Sequence, residues 1–522
     1  MALNVRFMAN SDAHPTGSFS RFELLRGRRK RFLALVAVGA IAPLAMFAGG
    51  HAAPTASALT CATARSVIGQ SDITYLGAIR MPQSGVDTTY AYGGLTGRIV
   101  NGRVHFFIFG NNTSTPRDAV YEIEDPGGGY NTDYTQAPYA TLVTNWGDIY
   151  HGKRTSWDAS GNPINIQYVI PVGIYWNDNT QLLYWTYTDT YNVAHRPDWD
   201  LGATALGDPT AATSTAYGPW RPKVQDADGN TYYGPWRCAY LFSNPFDGSM
   251  MCGSGPQSGN AGSPWGPDAY SGSPWPTTTT PAGYGSPDLS LPNRFLEYYF
   301  MGNANSSNYI DPNGVVHGHL RSFRRTNELP VWEQYSAGTV PLRANPALNG
   351  GVGSWSEMDG AGGGAWLELT NKRGVLFPSF LVGSPVQNTS DCANAAHEWY
   401  SNAGVNPPNG ACTHGCAPPV GVTGPVTTAG FPALIIMDPD QLLAVRNGTI
   451  PDYSPNARAV IDLAQAYNIR TATLSTIGAG KTIRGLYFDP VRKYIFVLAP
   501  MADDTRGPYA PSALIHVFAI ND

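Results

Sequence analysis

Charge is scarce in this chain. Asp, Glu, Lys and Arg make up 14% of its 522 residues and the formal net charge is −5, so no basic surface is expected and nucleic acid is excluded as a partner. Long apolar runs are nearly missing as well. The one candidate, residues 32–48, is short and broken by Pro43, which argues against stable membrane insertion. No G-x-S-x-G nucleophile elbow and no H-E-x-x-H zinc helix occurs. The GAGKT stretch at residues 478–482 has Ser475 where a phosphate loop needs its first glycine, and it precedes a strand where a helix is required. Cysteine is limited to six residues. Cys238 and Cys252 flank a turn-rich loop, Cys392, Cys412 and Cys416 cluster in another, and Cys61 stands apart. In an oxidising compartment they are expected to form three disulfides, with Cys238 and Cys252 suited to a local pair. The CTHGC stretch around His414 lacks the paired spacing of a zinc site, so no metal is assigned there.

That compartment is suggested by the beginning of the chain. Arg26, Arg28, Arg29, Lys30 and Arg31 precede the apolar run, and Ala56-Ser57-Ala58 follows as an A-x-A step. A basic region, a short apolar core and small residues read as an export signal over residues 1–58, removed to leave a single domain over 59–522. A secreted or periplasmic protein is expected, exported by the Sec route or the twin-arginine route. With 58 Gly, 42 Pro and 12% aromatic residues spread among short β-branched runs, that domain reads as many short strands joined by turns.

One template recurs: Gly, an apolar and aromatic strand, Asn or Asp in a turn, then a second apolar strand. Gly173 opens GIYWNDNTQLLYW, Gly485 opens GLYFDPVRKYIFV, Gly364 opens GAWLELTNKRGVLF and Gly94 opens GLTGRIVNGRVHFFIF. Each reads as a β-hairpin. The glycines are 79, 191 and 121 residues apart. With units of about 60 to 65 residues those gaps hold six intervals, which predicts an all-β fold, a seven-bladed β-propeller. Residues 73–81 and 513–520 each form a strand without a local partner, so their pairing is expected to close the ring and hide two edges. Residues 439–448 are the one place where a short helix is expected.

The stretches YLGAIRMP (75–82), YAYGGL (90–95), LYWTYTDTYNV (183–193), YFDPVRKYIFVLAP (487–500) and IHVFAI (515–520) resemble a group of secreted bacterial β-propeller proteins, mostly hypothetical. The resemblance spans most of 59–522 and lies in blade hairpins, so it implies a fold and no activity. The Ser-x-Asp-x-Gly-x-Thr-Trp box of sialidases and the Trp-Asp repeat are both missing.

Candidate site residues come from the loops. In residues 311–325, DPNGVVHGHLRSFRR, a turn leads into a strand that puts His317, His319 and Arg321 on one face, each about 6.6 Å from the next along the strand. Two histidines so spaced suit a metal, but the adjacent guanidinium favours a carboxylate or sulfate, so an anion-binding face is preferred. Loops entering the template strands offer Trp355, Glu357 and Asp359 before Gly364, Asp87, Tyr90 and Tyr92 before Gly94, and Lys481 and Arg484 before Gly485. Residues 145–154 add Asp148, Tyr150, His151 and Arg154, and residues 397–400 add His397 beside aromatics. His317, His319, Tyr150, His151 and Asp359 are the catalytic candidates. Arg321, Arg154, Tyr90, Tyr92, Trp355, Glu357, Lys481 and Arg484 are the candidates for holding substrate.

Tyr and His are bases able to remove the proton beside a uronate carboxylate while Arg neutralises that carboxylate. The expected partner is therefore an extracellular polysaccharide, bound and cleaved, with a lyase slightly favoured over a hydrolase. The alternatives are a non-catalytic propeller that binds a glycan or protein, and a metal-dependent oxidoreductase using His317 and His319. No cofactor is called for. A structural calcium ion at the DADGN turn (226–230) is a minor alternative to reading that turn as an ordinary hairpin. A monomer is expected.

Overall fold

The computed structural model describes residues 65–91, 93–111, 118–152, 156–157, 163–164, 169–189, 201–225, 231–233, 238–246, 248–253, 267–272, 288–296, 309–310, 316–317, 360–381, 431–450, 455, 457–472, 483–507 and 510–522. Its hairpins begin with local chemistry. Asn177 Oδ1 accepts hydrogen bonds from the amides of Asn179 (2.9 Å) and Thr180 (3.1 Å), Asn244 Oδ1 from Phe246 (3.1 Å) and Asp489 Oδ1 from Val491 (2.9 Å). These side chains imitate a backbone turn, so the template's Asn or Asp fixes where the chain reverses.

Strand β1 (Ile73–Arg80) belongs to the last blade. Blade one is β2 (Leu95–Val100), β3 (Arg103–Phe109), β4 (Val120–Glu124) and β5 (Thr141–Gly147). Blade two is β6 (Val169–Asn177), β7 (Leu182–Asp189), β8 (Leu201–Leu206) and β9 (Ser214–Gln225), and blade three is β10 (Tyr240–Ser243), β11 (Met250–Gly253), β12 (Ala269–Gly272) and β13 (Asn293–Leu296). Blade four is β14 (Ala365–Glu368), β15 (Lys372–Leu381), β16 (Phe431–Met437) and β17 (Ala457–Asp462). Blade five is β18 (Leu486–Asp489), β19 (Tyr494–Asp503) and β20 (Ser512–Ile520), completed by β1. Within each blade neighbouring strands are antiparallel. β1 pairs with β20 in the register Ile73↔Ile520 to Arg80↔Leu514, so the expected closure is present.

Side-chain alternation decides how the blades stack. In β3, Phe106 and Ile108 face blade five while Phe107 and Phe109 face blade two. Both faces are buried, which is why the strand reads as a continuous apolar run. The same pattern yields five interblade cores. Phe107, Phe109, Trp146, Trp176 and Trp185 join blades one and two; Tyr184, Trp220, Leu241 and Tyr270 join two and three. Phe242, Phe295, Trp366, Phe377 and Ile435 join three and four. Leu376, Leu434, Ile495, Leu514 and Phe518 join four and five. Leu95, Phe106, Phe496, Ile515 and Val517 return blade five to blade one. The cycle is complete.

The innermost strands follow the same cycle. Trp176 N donates to Thr96 Oγ1 at 3.0 Å, and Gly485 N donates to Gly362 O at 2.6 Å. Gly485 has φ +91, and a Cβ there would stand 2.3 Å from Leu95 N, so glycine is required at the joint between blades five and one. The seven blades expected from spacing are thus replaced by five among the described residues. Among the described residues only one further blade, starting at β10, begins between Gly173 and Gly364, and no further blade begins between Gly364 and Gly485. The extra length falls in residues 297–359 and 382–430, the latter inside blade four between two paired strands. The short helix is present as α1 (Pro439–Arg446), capped by Asp438, whose Oδ1 accepts from Asp440 N at 3.0 Å. Among the described residues no helix is long and apolar enough to cross a membrane.

Candidate functional site

Three loops that enter innermost strands meet at one end of the ring: residues 81–94 before β2, 360–364 before β14 and 483–485 before β18. Arg484 is their common point. Its backbone N donates to Leu498 O at 2.8 Å, extending blade five. A Cβ on Gly93 would lie 2.4 Å from Arg484 Cβ, and one on Gly362 would lie 3.0 Å from Arg484 Cγ. Two glycines therefore make room for the arginine stem, and Gly93 also has φ +113. Arg484 itself is partly exposed.

The first loop is held firmly. Asp87 Oδ1 accepts from Thr89 N (3.0 Å), its Oδ2 accepts from Asn111 Nδ2 (2.9 Å), and Thr88 Oγ1 accepts from Ala513 N (3.1 Å). Tyr90, with φ 57, projects from this loop and is 42% exposed. A guanidinium and an exposed phenol on fixed backbone suit a carboxylate-bearing ring: the first pairs with the acid in two parallel hydrogen bonds, the second offers a stacking face. The two long segments also join here. β15 and β16 pair as far as Leu381↔Phe431, just beyond Gly360↔Phe380, so residues 382–430 leave and return beside the 360–364 loop. Residues 297–359 rejoin the ring at Gly360.

The other sequence candidates whose side chains are described, Tyr150 and His151, are not part of this junction. Tyr150 is 1% exposed and packs edge-on to Trp185 with ring centroids 4.9 Å apart. It belongs to the core between blades one and two, which corrects its expected role as a base open to substrate. His151 is exposed, has φ 48, and its Nε2 lies 2.7 Å from Ser214 Oγ at the start of β9. His317 ends a two-residue strand, Val316–His317, opposite Tyr309, and its side chain lies outside the described residues. Tyr92, Arg154, His319, Arg321, Trp355, Glu357, Asp359 and Lys481 lie outside them entirely, as do Cys61, Cys392, Cys412, Cys416 and the 226–230 turn. The Cys238–Cys252 disulfide is formed, joining the start of blade three to β11. Among the described residues no group of three His, Cys, Asp or Glu side chains is arranged to hold a metal ion.

Two polar centres escaped the sequence reading. In blade one, Glu122 is fully buried. It accepts from Arg98 Nη2 (2.7 Å) and Trp146 Nε1 (3.0 Å), and its Oε1 lies 2.8 Å from His105 Nδ1. Burial alone would push its carboxyl up, but the His105 bond and the Arg98 charge outweigh that and hold it below the usual carboxylate range. Arg98 also lies over the Trp176 ring, 4.8 Å from its centroid, so the network ties blade one to blade two. The second centre is His516 in β20, buried beside Tyr75. Both groups draw partners from separate strands, and no local pattern announces them.

No family model matches the chain, and no curated protein sequence matches it. Among solved structures, the PQQ-bound form of aldose sugar dehydrogenase (Adh) from Streptomyces coelicolor aligns with 86% of this chain and 97% of its own, at 9% identity and a TM-score of 0.29. Similarity at that level carries no argument about activity. The propeller assignment rests on the strand order and the closed cycle of interblade cores.

Proposed function

We propose that the protein binds an acidic extracellular polysaccharide at the end of the ring where residues 81–94, 360–364 and 483–485 meet. The observation that carries this reading is the position of Arg484, whose stem passes between Gly93 and Gly362 at the point where three blade-entry loops converge. Arg484 would pair with a uronate carboxylate, and Tyr90 would stack on a sugar ring. The export signal read at residues 1–58 supports an extracellular polymer as the partner. Cleavage by a lyase is the reaction we favour for this partner, with His317, His319 and Arg321 as candidate base and cation on a segment that rejoins the ring at Gly360.

Calorimetric titration with oligouronates and with neutral oligosaccharides tests the binding. Arg484→Met keeps the stem and removes the charge. It should weaken oligouronate binding by about ten- to a hundredfold, the worth of a charged hydrogen bond of roughly 1.5–3 kcal/mol, and leave neutral sugars unaffected. Equal affinity for wild type and variant would end the reading. The ultraviolet absorbance of unsaturated uronates, followed in the same mixtures, separates a lyase from a non-catalytic binder.

A further inference from the structure

His516 interrupts the apolar run of β20 and is fully buried. Its Nε2 lies 2.7 Å from Arg470 O, and its Nδ1 lies 2.9 Å from the Tyr75 hydroxyl. A carbonyl only accepts, so Nε2 carries the proton, and the neutral ring accepts from Tyr75 at Nδ1. One imidazole thus joins three pieces of chain: β20, the strand β1 that closes the ring, and the loop that follows blade four.

The surroundings offer a positive charge the Arg470 carbonyl and, among the described residues, no carboxylate, too little to offset burial. From β1 the titratable neighbour is Tyr75, its ring centroid 5.8 Å away. From the helical turn Leu463–Tyr467 it is Tyr467, which packs on Tyr75 and Phe518. The loop after it presents the Arg470 carbonyl, while the Arg470 guanidinium is bound to Asp504. β19 places Val497 opposite His516, and the charged pair on β1 and β19 is Arg80 with Asp503, already joined at 2.9 Å. Leu514 and Phe518 flank His516 in β20 and pack into the apolar core between blades four and five. No carboxylate bonds to the imidazole among the described residues.

We propose that His516 is an acid-sensitive latch on the propeller: neutral, it holds β1 and the Arg470 loop against β20, and protonated, it no longer accepts from Tyr75 and buries a charge without a carboxylate partner, which opens the joint between blades four and five. Burial pushes the His516 imidazole down to about 4 from an ordinary 6.5. Between those values the unfolded or opened chain takes up a proton that the closed ring excludes. Closure is therefore complete above pH 6.5 and weakens as pH falls toward 4.

The test compares wild type with His516→Gln, whose amide still donates toward Arg470 O but does not titrate. Urea denaturation at pH 7 and pH 4 should show the wild-type folded-to-unfolded ratio falling by roughly a hundredfold more than that of the variant. Carboxylates that titrate in this range are common to both proteins and cancel in the comparison. Hydrogen exchange at the imidazole C2 position, followed by mass spectrometry on the wild-type protein, reads His516 directly and needs no variant. A midpoint near 4 is expected. A midpoint near 6.5, or parallel pH curves for the two proteins, would overturn the latch.

Discussion

Glu122 shows what a single residue contributes when its partners come from elsewhere in the fold. It stands in β4, Arg98 in β2, His105 in β3 and Trp146 in β5, so all four strands of blade one converge on one carboxylate. Removing its charge leaves Arg98 and His105 facing an amide inside a core. Glu122→Gln should cost about 3 kcal/mol at pH 7, the low end for a broken buried ion pair because Arg98 is 22% exposed. The sign of the pH dependence follows from the lowered carboxyl. Its stabilisation is present above the ordinary value of 4.5 and is lost as pH falls below it. Urea midpoints for wild type and variant should therefore converge in strong acid, whereas a constant gap would place the cost in packing. Little of this was legible in the sequence, where Arg98, His105 and Glu122 read as charges scattered through apolar strands. Tyr150 erred in the opposite direction: a tyrosine in a polar loop reads as exposed, and only the fold reveals Trp185 against its ring.

At the scale of elements the sequence was more informative, because hairpins are local. Gly94, Gly173, Gly364 and Gly485 all mark innermost strands, and the strands at 73–81 and 513–520 announced their pairing by having no other partner. The innermost strand that went unrecognised is β10. Four residues before the turn residue, where Gly173 precedes Asn177 and Gly485 precedes Asp489, blade three carries Tyr240 before Asn244. Its hydroxyl donates to Asp268 O at 2.6 Å, so a side chain packs inside blade three where other blades keep a glycine. Closure also involves more than β-pairing. Asp522 accepts from the amides of Thr370 (3.1 Å), Asn371 (2.6 Å) and Lys372 (3.1 Å) and from Lys493 Nζ (2.8 Å), clamping blade five to the first turn of blade four. The Lys493 bond, helped by those amides, holds the Asp522 carboxyl well below the usual range. Removing residues 513–522 takes away the strand between β1 and β19 together with this clamp. Thermal unfolding of the truncated protein should lose its single cooperative transition, and an unchanged transition would show that closure does not hold the ring.

For the whole molecule the blade count turns on where the extra length is inserted. A repeat spacing averages over insertions, so it made seven units of a chain whose five described blades already touch in a cycle. Residues 382–430 decide the matter experimentally, because they interrupt two strands that remain paired up to Leu381↔Phe431. Antiparallel neighbours at that separation are joined by a two-residue turn. Replacing residues 383–429 with a short Asn-Gly turn should therefore leave the ring intact. Shortening the connection about tenfold favours closure by roughly 2 kcal/mol in chain entropy, so the thermal midpoint should stay level or rise by a few degrees. Loss of cooperative unfolding would mean that the segment supplies part of the ring, and five blades would be the wrong count. The same shortened protein also bears on the ligand site, because the segment departs and returns beside the loop that holds Arg484. An intact fold with weakened oligouronate binding would assign residues 382–430 to the binding surface. An intact fold with unchanged binding would confine that surface to the three loops and the segment that rejoins at Gly360.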